Sequence, residues 1–180
     1  SEIEAIDVKN RLYQASQQTG TAYKDNIEAY LGLERSMRQY SDTGMDAVST
    51  IDLVNKTLRV SGANAAQTSS FYSQFEKVME SGIIQGKDLN AMLKSNSAFV
   101  EQLAVALGTS VEGLQQMAEN GQLTAETIRS AFGKMREGVD REFALIPVKT
   151  KDAMQMLQNS FQRIADESYA ASDGVSNIPM

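Results

Sequence analysis

The stretch GTSVEGLQQMAENGQLTAE, Gly108 to Glu126, constrains the fold more than any other part of the chain. It reads as helix stop, cap, short helix, stop, cap, next helix. Gly108 suits the position just past a helix end, where glycine takes up the left-handed backbone without strain. Ser110, or Thr109 with Glu112 three residues on, caps the following start. Leu114 and Met117 face inward, and Gly121 stops that helix within about two or three turns. Thr124 is the next N-cap, with Leu123 before it and Ile128 at the fourth helical position. That pair forms a hydrophobic staple, which fixes the entry angle of a helix. Glu126 complements the positive end of the same helix. This grammar specifies tight corners between short helices, not a flexible loop.

The rest of the chain is written the same way. Two prolines, Pro147 and Pro179, and little β-branched alternation suit a helical protein. Residues 1–18 carry Ile3, Ile6, Leu12 and Tyr13 on a loose helical face. Residues 21–40 carry Tyr23, Ile27, Tyr30, Leu33 (or Glu34) and Met37 as one apolar stripe. Asp42-Thr43-Gly44 is a break. A third helix bears Ala47, Ile51, Val54 and Leu58 and stops at Ser61-Gly62. Asn64 caps a fourth, with Phe71, Phe75, Val78 and Met79. Gly82 and Gly86 bracket the apolar turn Ile83-Ile84. Asp88 opens a helix with Leu89, Met92 and Leu93. Ser95-Asn96-Ser97 breaks or caps before Phe99, Val100, Leu103, Ala104 and Leu107. Beyond the opening stretch, Ile128, Phe132, Met135 and Val139 mark a further helix. Phe143, Leu145, Ile146 and Val148 surround Pro147, which interrupts it. A last helix runs from about Thr150 to Ser168 with Ala153, Met154, Leu157, Phe161 and Ile164. After Tyr169 the composition turns to a frayed end or linker.

The expected fold is therefore all-α, a compact multi-helix bundle of about eight or nine helices, with long helices at both ends and short capped ones in the middle. Within this one domain, residues 1–84 form a long-helix framework, 85–147 a short-helix subdomain and 148–168 a closing helix. Residues 169–180 form a flexible end. The chain opens on Ser1 in mid-pattern and reads as a fragment of a longer protein.

Composition narrows the chemistry. The formal net charge is −6 and the isoelectric point about 4.8, which argues against a nucleic-acid footprint. No Cys and no His are present. Thiolate nucleophiles, disulfides, imidazole bases and Cys/His metal sites are excluded within the chain. No apolar run approaches the roughly 20 residues of a membrane span; LAVAL, Leu103 to Leu107, ends at Gly108. No signal peptide is apparent.

The remaining candidates all have plainer readings. Glu76 and Glu80, Glu137 with Arg141, and Asp166-Glu167 read as solvated helix faces rather than acid–base pairs. The glycines around Ile83-Ile84 follow no strand, and Gly86-Lys87-Asp88 lacks the Ser or Thr of a phosphate loop. Lys87 is a solvated residue at a helix start. Met92, Met117, Met135 and Met154 fall at core spacing, which outweighs an adaptable binding face. Tyr23, Tyr30 and Tyr40 read as half-buried core rather than a stacking platform. The first and third helices carry apolar faces that either pack on each other or await another chain. No catalytic, cofactor-binding or metal-binding residue is named.

A resemblance adds to this reading. Its first block is Ser61-Gly62-Ala63, Ala66, Phe75 and Gly82-Ile83-Ile84-Gln85-Gly86-Lys87-Asp88-Leu89-Asn90. Phe99, Leu103, Ala104, Leu107-Gly108, Ser110, Glu112-Gly113-Leu114, Met117, Gly121 and Leu123-Thr124 continue in register. Phe143, Ile146-Pro147, Thr150, Ala153, Leu157, Asn159-Ser160, Phe161 and Ile164 close it. In order and spacing this series resembles the N-terminal domain of phage or prophage tail tape measure proteins. The resemblance is weak over 1–45 and strong over 61–165. Ser97 stands where many members have Pro, and Ala165-Asp166 where the family tends to Gly. The resemblance implies a non-enzymatic, helical structural module in tail-length determination and tail assembly. Its implied partners are other copies of itself, tail tube or tail-tip proteins and tail assembly chaperones, without specific nucleic-acid binding, membrane insertion or cofactor. The implied location is the tail tube lumen of the virion, and the host cytoplasm during assembly. The competing readings are a helical cytoplasmic adaptor and a segment of a cell-wall-cleaving tail enzyme. The latter requires an isolated Glu in an apolar pocket with a second carboxylate across a cleft.

Overall fold

A computed structural model describes residues 1–43 and 45–176. Gly44 and Pro179 lie outside them. Among the described residues there are nine α-helices and no strand. They are α1 (Glu2–Thr19), α2 (Tyr23–Met37), α3 (Ala47–Ser61), α4 (Ala65–Ser81), α5 (Gly86–Ser95), α6 (Ser97–Ala106), α7 (Val111–Glu119), α8 (Ala125–Phe143) and α9 (Thr150–Ser176), with a 3-10 helix over Arg38–Thr43 between α2 and α3. The chain is all-α, as its periodicity predicts.

The helices form two units: Ser1–Glu28 with the chain from Val148 onward, and Ala29–Pro147. These limits differ from the sequence division at 84. One break falls inside α2, and the closing helix belongs with the first one. Helix α9 also continues through Ser176, past the point where composition suggested fraying.

The unit 29–147 owes its corners to local chemistry. Gly62, Gly82, Gly108 and Gly121 all take positive φ, and no other residue type does among those described. Ser110, not Thr109, caps α7: its hydroxyl accepts the Gly113 N–H at 3.0 Å. Thr124 caps α8, accepting the Thr127 N–H at 3.2 Å, and the flanking Leu123 and Ile128 are both fully buried. The turn between Gly82 and Gly86 is tied to the same corner. Ile84 N–H donates to the Leu123 carbonyl at 2.9 Å, and Ala125 N–H to that of Gly82 at 3.0 Å. Asn96 both ends α5 and starts α6. Its side-chain oxygen accepts the Phe99 N–H at 3.3 Å and the Ser61 hydroxyl at 3.0 Å; its amide donates to Thr57 at 2.8 Å. Ser97 is then the first helical residue, where a proline would be tolerated.

The core of this unit is aromatic and aliphatic. Phe71, Phe75 and Phe99 form a ring cluster with centroids 5.1 to 5.8 Å apart. Helix α3 packs on α6 and α8, and α4 on α5. Ile51, Leu53, Val54 and Leu58 of α3 are all buried. The third helix therefore has no apolar face left over.

Two polar links cross the unit. Lys56 Nζ lies 2.8 Å from Asp52 on its own helix and 2.8 Å from Asp140 of α8, and 5.8 Å from the Phe143 ring centre. Burial pulls this ammonium's pKa down, but the hydrogen bonds and charges of Asp140 and Asp52 outweigh it and leave it raised. The half-buried Tyr72 hydroxyl donates to Asn55 at 2.7 Å, and burial pushes its phenol far above the usual range.

Candidate helix-docking surface

In the unit formed by the two ends of the chain, α1 runs antiparallel to α9. Gln17 contacts Asn159, Tyr13 contacts Ser160 and Asn10 contacts Arg163 in turn. The contact is polar. Tyr13 and Ser160 hydroxyls are 3.1 Å apart. Arg163 donates to Asn10 at 2.6 Å, with its guanidinium 4.5 Å from the Tyr13 ring centre. Asn159, buried, accepts the Tyr23 N–H at 2.9 Å and donates to the Thr21 carbonyl at 2.7 Å. Asp152, also buried, accepts the Lys149 N–H at 2.9 Å, capping α9, and its side chain fills the space beside Gly20.

The opposite face of α9 is apolar and open. Met154, Leu157, Phe161 and Ile164 are 56, 52, 64 and 59% exposed. At 100° per residue their directions cluster opposite those of Asp152, Asn159, Arg163 and Asp166. Helix α9 is thus amphipathic with its polar face packed and its apolar face free. This reverses the usual arrangement, in which the apolar stripe faces the core. Met154 does not fill core, and the expected inward stripe of the last helix points outward. Met92 and Met135 are buried and Met117 half-buried, as their spacing predicts. Ile3 and Ile6 of α1 are exposed as well. The unsatisfied faces are therefore those of the first and last helices, where the sequence pointed to the first and third.

Two clefts hold Glu76 with Glu80 and Asp166 with Glu167, while Glu137 and Arg141 are exposed on α8. One, of about 660 Å³, lies in the second unit between the end of α2, the 3-10 helix and α4. Arg35, Arg38, Gln39, Glu76 and Glu80 line it. Glu76 occupies the space left by the missing side chain of Gly32. Burial raises its carboxyl pKa, and the Arg35 charge opposes the rise. The second cleft, about 180 Å³, lies between α1 and α9 and is lined by Ile6, Lys9, Arg163, Asp166 and Glu167 among others. Both put the carboxylates beside arginines rather than in an apolar pocket. Lys87 is exposed at the start of α5, and Tyr23 is buried with Tyr30 and Tyr40 half-buried. Among the described residues no cluster of carboxylates is arranged to hold a metal, and no helix is long and apolar enough to cross a membrane.

Residues 1–168 match the family model described as "Tape measure protein". The chain belongs to the tape measure protein family. The match takes in all of α1 to α8 and most of α9, including the exposed apolar stripe. Tape measure proteins are structural proteins of phage tails, so this chain is a phage tail component. No curated protein and no solved structure matches it. Sequence reasoning found the family but not the open apolar face of α9. Periodicity marks an apolar stripe without saying whether a partner from the same chain covers it.

Proposed function

We propose that this domain is a folded end module of a tape measure protein, contributing to tail-length determination and tail assembly by docking or self-association. The observation that supports it is the reversed α9, whose apolar row is open while its polar face is held by hydrogen bonds. An exposed apolar row on an ordered helix is an association surface. Tail tube or tail-tip proteins, assembly chaperones and further copies of the chain are the partners in view. The site of action is the tail tube lumen, reached from the host cytoplasm during assembly. The role is non-enzymatic; clearing of a cell-wall suspension by the purified domain would overturn that reading.

An α-helix rises about 1.5 Å per residue, so a helical chain encodes length in residue count. Short capped helices make a poor ruler and a good terminus. The test deletes in-frame blocks of different size from helical sequence downstream of this domain and measures tails by electron microscopy. Shortening by about 1.5 Å per deleted residue supports the reading. Tails of unchanged length overturn it.

A further inference from the structure

We propose that α1 is a strap that lifts off α9 in the folded protein, far more readily than the helices of residues 29–147 come apart.

The seal under the strap is thin. Among the described residues of the unit that holds α1 and α9, only Leu12, Ala15 and Tyr23 are buried apolar groups. The unit's other buried groups are polar: Ser16, Thr19, Asn26, Asp152 and Asn159. The unit 29–147 instead buries rows of Leu, Ile, Val, Met and Phe along α3, α4, α6 and α8. Opening is costly in proportion to the apolar area it exposes, and here that area is small.

Hydrogen bonds hold the strap. The Gln17 amide donates to the Tyr13 hydroxyl at 3.0 Å and to the Ser160 hydroxyl at 3.3 Å. The Gln17 side-chain oxygen accepts from the Asn159 amide at 3.3 Å. Arg163 holds Asn10 further along. Among the described residues no buried side-chain nitrogen or oxygen lacks a partner, so the closed form is specific. Water can replace each of these bonds, so each adds little net stability.

The open row of α9 lowers the cost again. In an ordinary amphipathic helix the apolar stripe faces the core, and it is what detachment exposes. Here Met154, Leu157, Phe161 and Ile164 are more than half exposed while α1 is in place. Lifting α1 therefore uncovers mainly Asn159, Ser160 and Arg163 on α9. A hydrogen-bonding face is added to an apolar face already free. Whether α1 lifts is independent of whether the domain docks.

The experiment is native-state amide hydrogen exchange of the 180-residue chain, read by mass spectrometry over peptides of each helix. Once apart, α1 and α9 lose the packing that supplies most helical stability, so both exchange. Residues 12–19 of α1 and 155–163 of α9 are expected to match each other. Their protection is expected to be roughly 100-fold below that of α3, α6 and α8. Neither segment reaches a chain end, so end fraying does not produce this pattern. Asn159→Ala is expected to speed exchange in both segments by roughly 5- to 150-fold and to leave α3, α6 and α8 unchanged. The wild-type profile decides the question by itself if that variant misfolds. Equal protection across all the helices overturns the proposal. So does exchange confined to the first turns of α1, or a protected α9 segment beside an exchanging α1. Protection absent from both segments overturns it as well, because the strap would then never close. Faster exchange of every helix alike in Asn159→Ala overturns it too, by showing a single unfolding step.

Discussion

Asn159 of α9 accepts the backbone N–H of Tyr23, the first residue of α2, at 2.9 Å. That N–H is one of the donors a helix start cannot satisfy within itself. A side chain 136 positions away in sequence thus caps it from outside. The same amide satisfies the Thr21 carbonyl. Asn159→Ala removes both hydrogen bonds, the one to Tyr23 in a buried setting. A loss of about 1–3 kcal/mol is expected in urea unfolding followed by circular dichroism. Asn159→Asp keeps the acceptor but sets a buried charge against the Thr21 carbonyl and Gln17 Oε1, and is expected to lose at least as much.

Asn96 plays a comparable role in the other unit. It joins two helix ends and reaches Thr57 and Ser61 of α3. Asn96→Ala removes a cap and leaves the buried Thr57 hydroxyl without its donor. The expected cost is about 2 kcal/mol in chemical denaturation. Asn96→Gly, which a cap position tolerates, still loses the Thr57 and Ser61 contacts and is expected to recover little.

Lys56 joins α3 to α8 through Asp140 and is mostly shielded from water. Lys56→Met removes the charge while keeping the stem, and leaves Asp52 and Asp140 facing each other's helix without a cation. A loss of about 1–3 kcal/mol at pH 7 is expected, between the values for exposed and buried pairs. The folded pKa of Lys56 is raised above its ordinary 10.5. Its stabilisation is therefore fully present below that value and declines as pH rises through the folded pKa. Thermal melts of wild type and Lys56→Met are expected to differ at pH 7 to 9 and to converge as pH rises through the folded pKa, above the ordinary 10.5.

Glu76 carries the opposite sign. Burial raises its folded pKa and Arg35 only partly offsets this. The folded protein holds the proton more tightly than the unfolded chain, so stability falls as pH rises through the window just above the ordinary value of 4.5. Glu76→Gln is expected to stabilise slightly at pH 7, by up to about 0.5 kcal/mol, with the gain gone below pH 4. Gly32→Ala tests the same contact from the other side. The new methyl meets only the flexible end of Glu76, so the gain of roughly 1 kcal/mol from replacing a mid-helix glycine is expected to survive. Calorimetric melts of the two variants across pH 3 to 8 check both.

The corners were legible in the sequence because capping is local. Gly62, Asn64, Gly82, Gly108, Gly121 and Thr124 each act within four residues of themselves, and each sits where its chemistry requires. The aromatic core was legible because Phe71 and Phe75 recur at helical spacing with Val78 and Met79 on α4, and Phe99 does so with Leu103 on α6. The role of α9 was not legible. Met154, Leu157, Phe161 and Ile164 have the period of a buried stripe, and period is the same whether the stripe points in or out. Asn159 and Asp152 are buried, yet polar residues on a helix read as solvated until their partners on α1 and α2 are known. The limits of the two units escaped for a related reason: pairing α1 with α9 joins residues at opposite ends of the chain, which no local pattern encodes.

That pairing also decides how the domain responds to a pull. The outer ends of α1 and α9 lie side by side, since Ile6 and Glu167 line one groove. Tension applied through both chain ends therefore peels the two helices apart like a zipper rather than sliding one along the other. The links open in succession, Arg163–Asn10, then Tyr13–Ser160, then Asn159–Tyr23, so no single step carries the whole load. The unit of Ser1–Glu28 with the chain from Val148 onward is thus held by links that yield one at a time.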